Sequence, residues 1–171
     1  CGHVRRHLPR NGGAGMTPAE QRQHALRFLR VIVPSGGVVE LRCLLSQRRT
    51  DAGYFNDLDT GVTAALARDG SKPTGIYVTL NPIDPALLAR AENRIKEWAD
   101  KTTTDANVTR RRWLFVDLDP ERVAGVSATD AEHQSALQRA EEIREALMTD
   151  HGWHAPIAID SSARRCCAQR W

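Results

Sequence analysis

Four apolar residues, Trp113-Leu114-Phe115-Val116, stand between three arginines (Arg110, Arg111, Arg112) and the acidic stretch Asp117-Leu118-Asp119-Pro120. A short aromatic and β-branched run, bounded by charge on one side and proline on the other, predicts a buried central strand with layers packed over it. Side chains alternate along a strand, so Asp117 and Asp119 project to one side and Leu118 to the other. Two like charges in one small volume repel, and a divalent cation relieves the repulsion. Carboxylate oxygens suit Mg²⁺ or Mn²⁺, ions typically held by one or two carboxylates plus substrate phosphates. Metals so held serve phosphoryl or nucleotidyl transfer by clamping the attacking and leaving oxygens. The competing structural reading is an aspartate pair capping the turn at Pro120.

Helices and strands alternate around this stretch. Thr17-Pro18-Ala19-Glu20 is a capping box directly after the first methionine, Met16, the expected native start. It opens a helix predicted over Pro18 to Ile32, with Ala25, Leu26, Phe28, Leu29 and Ile32 on its apolar stripe. Pro34 to Gly37 ends it, and a strand follows from Val38 to Leu45. Val39, Leu41, Cys43 and Leu45 share one face of that strand, Glu40 and Arg42 the other. Gly75 to Leu80 reads as a strand. Asp84-Pro85 opens a predicted helix that buries Leu88, Ala91, Ile95 and Trp98. Lys101 to Asn107 is a polar loop. Thr129-Asp130-Ala131-Glu132, a second capping box, starts a helix to about Asp150 with Ala136, Ala140, Ile143 and Leu147 inside, and Gly152 closes it. Ile157 to Asp160 is the last strand. The order is α/β (α+β), which implies a mixed sheet with helices packed on it.

A second D-x-D, Asp57-Leu58-Asp59, follows Gly53-Tyr54-Phe55-Asn56 instead of an apolar strand and leads into an Ala-rich helical segment. These carboxylates are expected to favour a helix N-terminus and are read as structural. Tyr54 and Phe55 offer either a base-stacking platform or a core residue beside a surface one.

Composition narrows the classes further. Lys plus Arg is 24 against 21 Asp plus Glu, a net charge of +3 that by itself does not name a nucleic-acid partner. No apolar run reaches bilayer length and no signal-type h-region stands near the N-terminus, so a soluble, cytoplasmic protein is expected. Cys1, Cys43, Cys166 and Cys167 form no C-x-x-C pair, which disfavours zinc and a disulfide framework. No G-x-G-x-x-G or G-x-x-x-x-G-K-[ST] loop is present, which disfavours a dinucleotide or P-loop site. Residues 1–16 carry Gly and Arg without periodicity and read as a disordered tail in which His3 and His7 are solvated.

An apolar strand ending in D-x-D occurs in several metal-dependent families, and the residues after it discriminate. A haloacid-dehalogenase-type phosphatase has a Thr two residues after the second Asp, where this chain has Glu121. Glycosyltransferases offer no further check. The ordered blocks G-I-Y-V-T-L-N-P (75–82), L-L-A-R-A-E-N-R (87–94), T-T-T-D-A-N-V (102–108), R-R-R-W-L-F-V-D-L-D-P-E-R (110–122) and G-V-S-A-T-D-A-E-H (125–133) resemble the primase-polymerase domains of phage and plasmid replication proteins, in the archaeo-eukaryotic primase superfamily. The resemblance covers residues 17–161 and implies a primase-polymerase-like catalytic core joining nucleotides on a DNA template. It implies Asp117 and Asp119 as catalytic carboxylates holding Mg²⁺ or Mn²⁺, and Arg110, Arg111 and Arg112 as nucleic-acid or nucleotide contacts. The implied partners are a DNA template and nucleoside triphosphates, with a fused or associated helicase in the intact protein.

The chain departs from that family after Asp160. The family's second motif, S-G-N-G-x-H, supplies a His to the incoming nucleotide's phosphates, whereas here Ser161 precedes S-A-R-R-C-C-A-Q-R-W, which has neither Gly nor His. The third motif, a further carboxylate, would lie beyond Trp171. Residues 162–171 therefore read as an aberrant, frame-shifted tail, and the strand at Ile157 is expected to lack its following hairpin partner. On this reading the chain is an inactive fragment of a nucleotidyltransferase. The alternatives are a catalytically silent nucleic-acid-binding fragment and a metal-dependent phosphatase.

Overall fold

The computed structural model describes residues 16–118 and 128–160 and the strand at 165–170; for residues 158–160 and 165–170 the backbone alone is described. The expectations for the N-terminal tail and for Asp119 lie outside these residues. The chain divides into two compact units, one ending at Arg111 and the other beginning at Arg112.

The first unit is a four-stranded sheet with helices on one face. Helix α1 (Pro18–Ile32) begins at the capping box read from the sequence: Thr17 accepts from the Glu20 amide and Glu20 accepts from the Thr17 amide. Strand β1 (Val39–Leu44) and strand β3 (Gly75–Val78) lie where expected. Strand β2 (Thr50–Phe55) was not foreseen, because Asp51 and Gly53 interrupt its apolar pattern. Helix α2 (Leu58–Asp69) follows, and the sheet order is β3-β1-β2-β4, with β4 the short Ile95–Lys96. Every named pairing is antiparallel. The expected mixed sheet is thus antiparallel in all its strand pairings, because the unforeseen β2 returns beside β1 as a hairpin before α2 begins.

Register assigns the two faces. Val39 lies opposite Phe55, Leu41 opposite Gly53 and Cys43 opposite Asp51, on the side where α2 packs and Gly61 meets the Phe55 ring. Glu40 faces Tyr54, and Arg42 faces Ala52, on the other side. That side is covered too: Tyr54 and Val38 form a core cluster with Ile83, Leu87 and Ala91, which the chain after β3 supplies. Tyr54 and Phe55 are 1% and 0% exposed, which removes them as a stacking platform.

The helix expected after Pro85 is a 3₁₀ segment, Pro85–Arg90, capped by Asp84, whose carboxylate accepts from the Ala86 amide. Leu87 and Ala91 are buried; Trp98, expected inside, is 64% exposed. Asn93 and Trp98 adopt φ of 46° and 50°, which no continuous helix allows. The chain turns instead to lay Ile95 beside Gly53, where a Cβ would sit 2.0 Å from the Arg94 carbonyl oxygen; only glycine permits that approach.

The second unit holds β5 (Trp113–Leu118), α3 (Asp130–Thr149), β6 (Ile157–Asp160) and β7 (Arg165–Arg170). Helix α3 starts at the Thr129–Glu132 capping box; of the positions expected inside, Ala140 is buried, whereas Ala136, Ile143 and Leu147 are half-buried, as are Leu137, Arg144 and Ala146. The sheet order is β5-β7-β6, antiparallel throughout. Among the described strands β5 is therefore at an edge, not central, and only Trp113 in it is fully buried. The backbone of the tail pairs with both neighbours, so β6 does have a following hairpin partner.

Candidate functional site

Strand β5 carries Asp117 to its fifth position, with an exposed carboxylate and its backbone opposite Cys166. The Asp117 carboxylate oxygens are of the hard type that Mg²⁺ or Mn²⁺ takes, but one such donor does not by itself make a metal site. Its expected companion, Asp119, lies outside the described residues. Among the described residues no group of three or more His, Cys, Asp or Glu side chains could hold a metal ion.

The three arginines do not share that end of the strand. Arg112 immediately precedes Trp113, and five residues of extended chain separate it from Asp117 by roughly 16 Å. Arg110 and Arg111 are exposed and belong to the first unit.

The second D-x-D is structural, as read. Asp57 is the N-cap of α2 and accepts from the Asp59 and Thr60 amides at 3.0 and 3.3 Å. Those bonds, led by the Thr60 hydroxyl at 2.6 Å, hold its carboxyl below the ordinary range. Asp59 instead accepts from Arg22 at 2.6 Å, tying α2 to α1.

Sequence reasoning missed two buried acids. Glu40 is 1% exposed; its Oε2 accepts from Arg42 at 2.7 Å and from the Thr103 amide at 3.2 Å, while Oε1 has no partner. Asp51 is fully buried and accepts two bonds from Arg49, at 2.8 and 2.9 Å, one from Arg68 at 3.1 Å and one from the Trp98 amide at 3.0 Å. Burial alone would raise its carboxyl; the Arg49 and Trp98 hydrogen bonds, with the charges of Arg49 and Arg68, hold it below the ordinary value. Both arginines also reach Glu97, at 2.9 and 3.0 Å, so two cations bridge two carboxylates. The signal available was the charge pattern of Arg49-Thr50-Asp51, alternating within what proves to be a strand.

On the sheet face carrying Tyr54, a cleft of about 330 Å³ is lined by Ala52, Tyr54, Arg90, Lys96, Asp100 and Lys101, among others. Arg90 donates to the Tyr54 hydroxyl at 3.3 Å, and Lys96 pairs with Asp100 at 3.0 Å. Cations outnumber anions in this lining, which gives the cleft a positive character. Among the described residues no helix is long and apolar enough to cross a membrane. The chain matches no family model, no curated protein and no solved structure.

Proposed function

We propose that the chain carries part of a primase-polymerase-type nucleotidyltransferase domain, with Asp117 and Asp119 as the metal-binding carboxylates. The observation that carries the reading is the ordered set of sequence blocks around an apolar segment that forms a strand and ends in an exposed aspartate. A bound Mg²⁺ or Mn²⁺ would neutralise charge on the transferring phosphoryl group. Asp117 would supply a hard oxygen to that ion and fix its position at the strand end. Arg110, Arg111 and Arg112, near the opposite end of the strand, would meet a template backbone and not the reacting phosphates. The partners are accordingly a DNA template and nucleoside triphosphates.

The residues after Asp160 hold no His for triphosphate positioning, so this chain by itself is proposed to be catalytically silent. Silent nucleic-acid binding is the second reading, favoured by the exposed Arg110 and Arg111. The test incubates the 171-residue chain with single-stranded template, Mn²⁺ and all nucleotides, beside a version continued through the alternative reading frame after Ser161. The expected result is product from the continued version alone, lost on Asp119→Ala. Template-dependent product from the 171-residue chain, abolished by Asp119→Ala, would refute the assignment of the missing motifs as indispensable. Absence of product from both would refute the primase-polymerase reading.

A further inference from the structure

We infer that the cleft on the Tyr54 face of the first unit is an oxyanion site, taking the phosphate group of a small ligand, free or esterified, on Arg90, Lys101 and the Tyr54 hydroxyl. The site lies wholly in the first unit and does not rest on the function proposed above.

Charge selects the ligand class. Arg90, Lys96 and Lys101 line the cleft against one carboxylate, that of Asp100. Lys96 donates to Asp100 at 3.0 Å, and that bond holds the carboxyl below its ordinary range, so the pair stays ionised and its charges cancel. Among the described residues no carboxylate pairs with Arg90 or Lys101, and both side chains are exposed. Glu40 and Arg42, on the same sheet face, pair with each other at 2.7 Å and leave this excess intact. Two uncompensated cations match a phosphate dianion and repel a metal ion.

Hydrogen-bonding capacity points the same way. Arg90 Nη1 donates to the Tyr54 hydroxyl at 3.3 Å and to the Thr102 carbonyl at 3.4 Å, which fixes the side chain and leaves Nε and Nη2 without an acceptor among the described residues. That edge is the fork with which arginine takes two oxygens of one phosphate. Tyr54 is buried, packed with Val38, Ile83, Leu87 and Ala91, and its hydroxyl accepts from Arg90 while its own proton has no acceptor among the described residues. An anion oxygen in the cleft would supply that acceptor. The donors come from β2, the 3₁₀ segment and the turn after β4, so they suit a group with oxygens in several directions better than a planar carboxylate.

The walls are set before any ligand arrives. Lys96 lies opposite Ala52 in the β2–β4 register, the Tyr54 amide donates to the Ala91 carbonyl at 3.1 Å, and the Ala99 amide donates to the Thr50 carbonyl at 2.8 Å. Backbone bonds thus hold the segments that carry the cations, which lowers the ordering cost of binding. At about 330 Å³ the cleft stands at the small end of ligand pockets, with room for a small phosphorylated molecule.

The experiment titrates the isotope-labelled 171-residue chain with pyrophosphate, and separately with thymidine triphosphate, in the millimolar range, following the Arg90 Nε–H and the Lys101 amide by NMR. Saturable shifts are expected with both, and the tighter ligand tells whether the group is preferred free or esterified. Arg90→Gln should weaken binding about tenfold or more, and Tyr54→Phe, which deletes one oxygen from a buried ring, by about as much. Asp100→Asn should tighten binding about threefold by releasing Lys96, a gain that a misfolded variant would not give. Absence of saturable shifts with both ligands would overturn the inference, as would unchanged affinity in Arg90→Gln. So would the same shifts from sodium chloride at equal ionic strength, or shifts that only an oligonucleotide produces.

Discussion

The fully buried carboxylate of Asp51 accepts a hydrogen bond from the backbone amide of Trp98 at 3.0 Å, joining the inside of the sheet to the most exposed of the described aromatic residues. Asp51 belongs to β2 and Trp98 to the turn after β4, so one side chain fixes both a core strand and a surface element. Neither role is served by Asp51 unless the carboxylate is ionised and its arginines stay in place.

Replacing Asp51 with Asn should therefore destabilise the first unit by about 3 kcal/mol, because Arg49 and Arg68 lose their buried counter-charge while keeping Glu97. The folded-state carboxyl lies below the ordinary 3.8, so its contribution is present above that value and is lost as pH falls toward and through the folded pKa. Urea melts of parent and Asp51→Asn between pH 7 and pH 3 should converge at the acid end. Parallel curves across that range would remove the ionised carboxylate from the explanation.

Gly53→Ala should cost about 3 kcal/mol. The added methyl would stand 2.0 Å from the Arg94 carbonyl oxygen and 2.8 Å from its carbon, and backbone cannot move aside as a flexible side chain does. Hydrogen exchange should show β4 and the Trp98 turn losing protection before β1. Unchanged protection at Ile95 would mean that the approach is looser than described.

Cys43 is fully buried, and burial, with a smaller contribution from Asp51, pushes its thiol up to about 11 against the opposing charge of Arg68. The reactive species is the thiolate, so Cys43 should resist a thiol reagent at pH 8 in the folded chain and react on unfolding. Peptide mass mapping after labelling in native and denaturing buffer reads this directly. Rapid native labelling at Cys43 would contradict its place under α2.

The elements legible in the sequence were those whose signals are local. Thr17 and Thr129 each sit three residues before a Glu, and both helices begin there. Asp57 is a helix cap, as expected, although the buried strand Thr50–Phe55 does precede it. Illegible elements depend on partners distant in sequence. Thr50–Phe55 is a strand because Arg68 and Arg49 neutralise Asp51 and because the Arg94 backbone closes on Gly53. The stripe Leu88, Ala91, Ile95 and Trp98 imitates a helix, but Asn93 takes φ 46°, donates its amide to the Tyr54 carbonyl and uses its side-chain oxygen to accept from the Asn56 and Asp57 amides. Those three bonds outweigh a weak helical preference. At the candidate site the strand itself was legible from Trp113 to Val116, whereas its edge position depends on β7, whose Arg- and Cys-rich sequence carries no apolar alternation.

The most direct measurement is a Mn²⁺ titration of the 171-residue chain followed by electron paramagnetic resonance, run beside Asp117→Ala and Asp57→Ala. Weak binding is expected in the parent, since two carboxylates leave several coordination positions to water. Asp117→Ala should abolish it. Asp57→Ala should retain it while lowering the thermal unfolding midpoint, because the α2 amides at Asp59 and Thr60 lose their acceptor. Equal Mn²⁺ affinity in the parent and Asp117→Ala would contradict the metal site and, with it, the proposed chemistry.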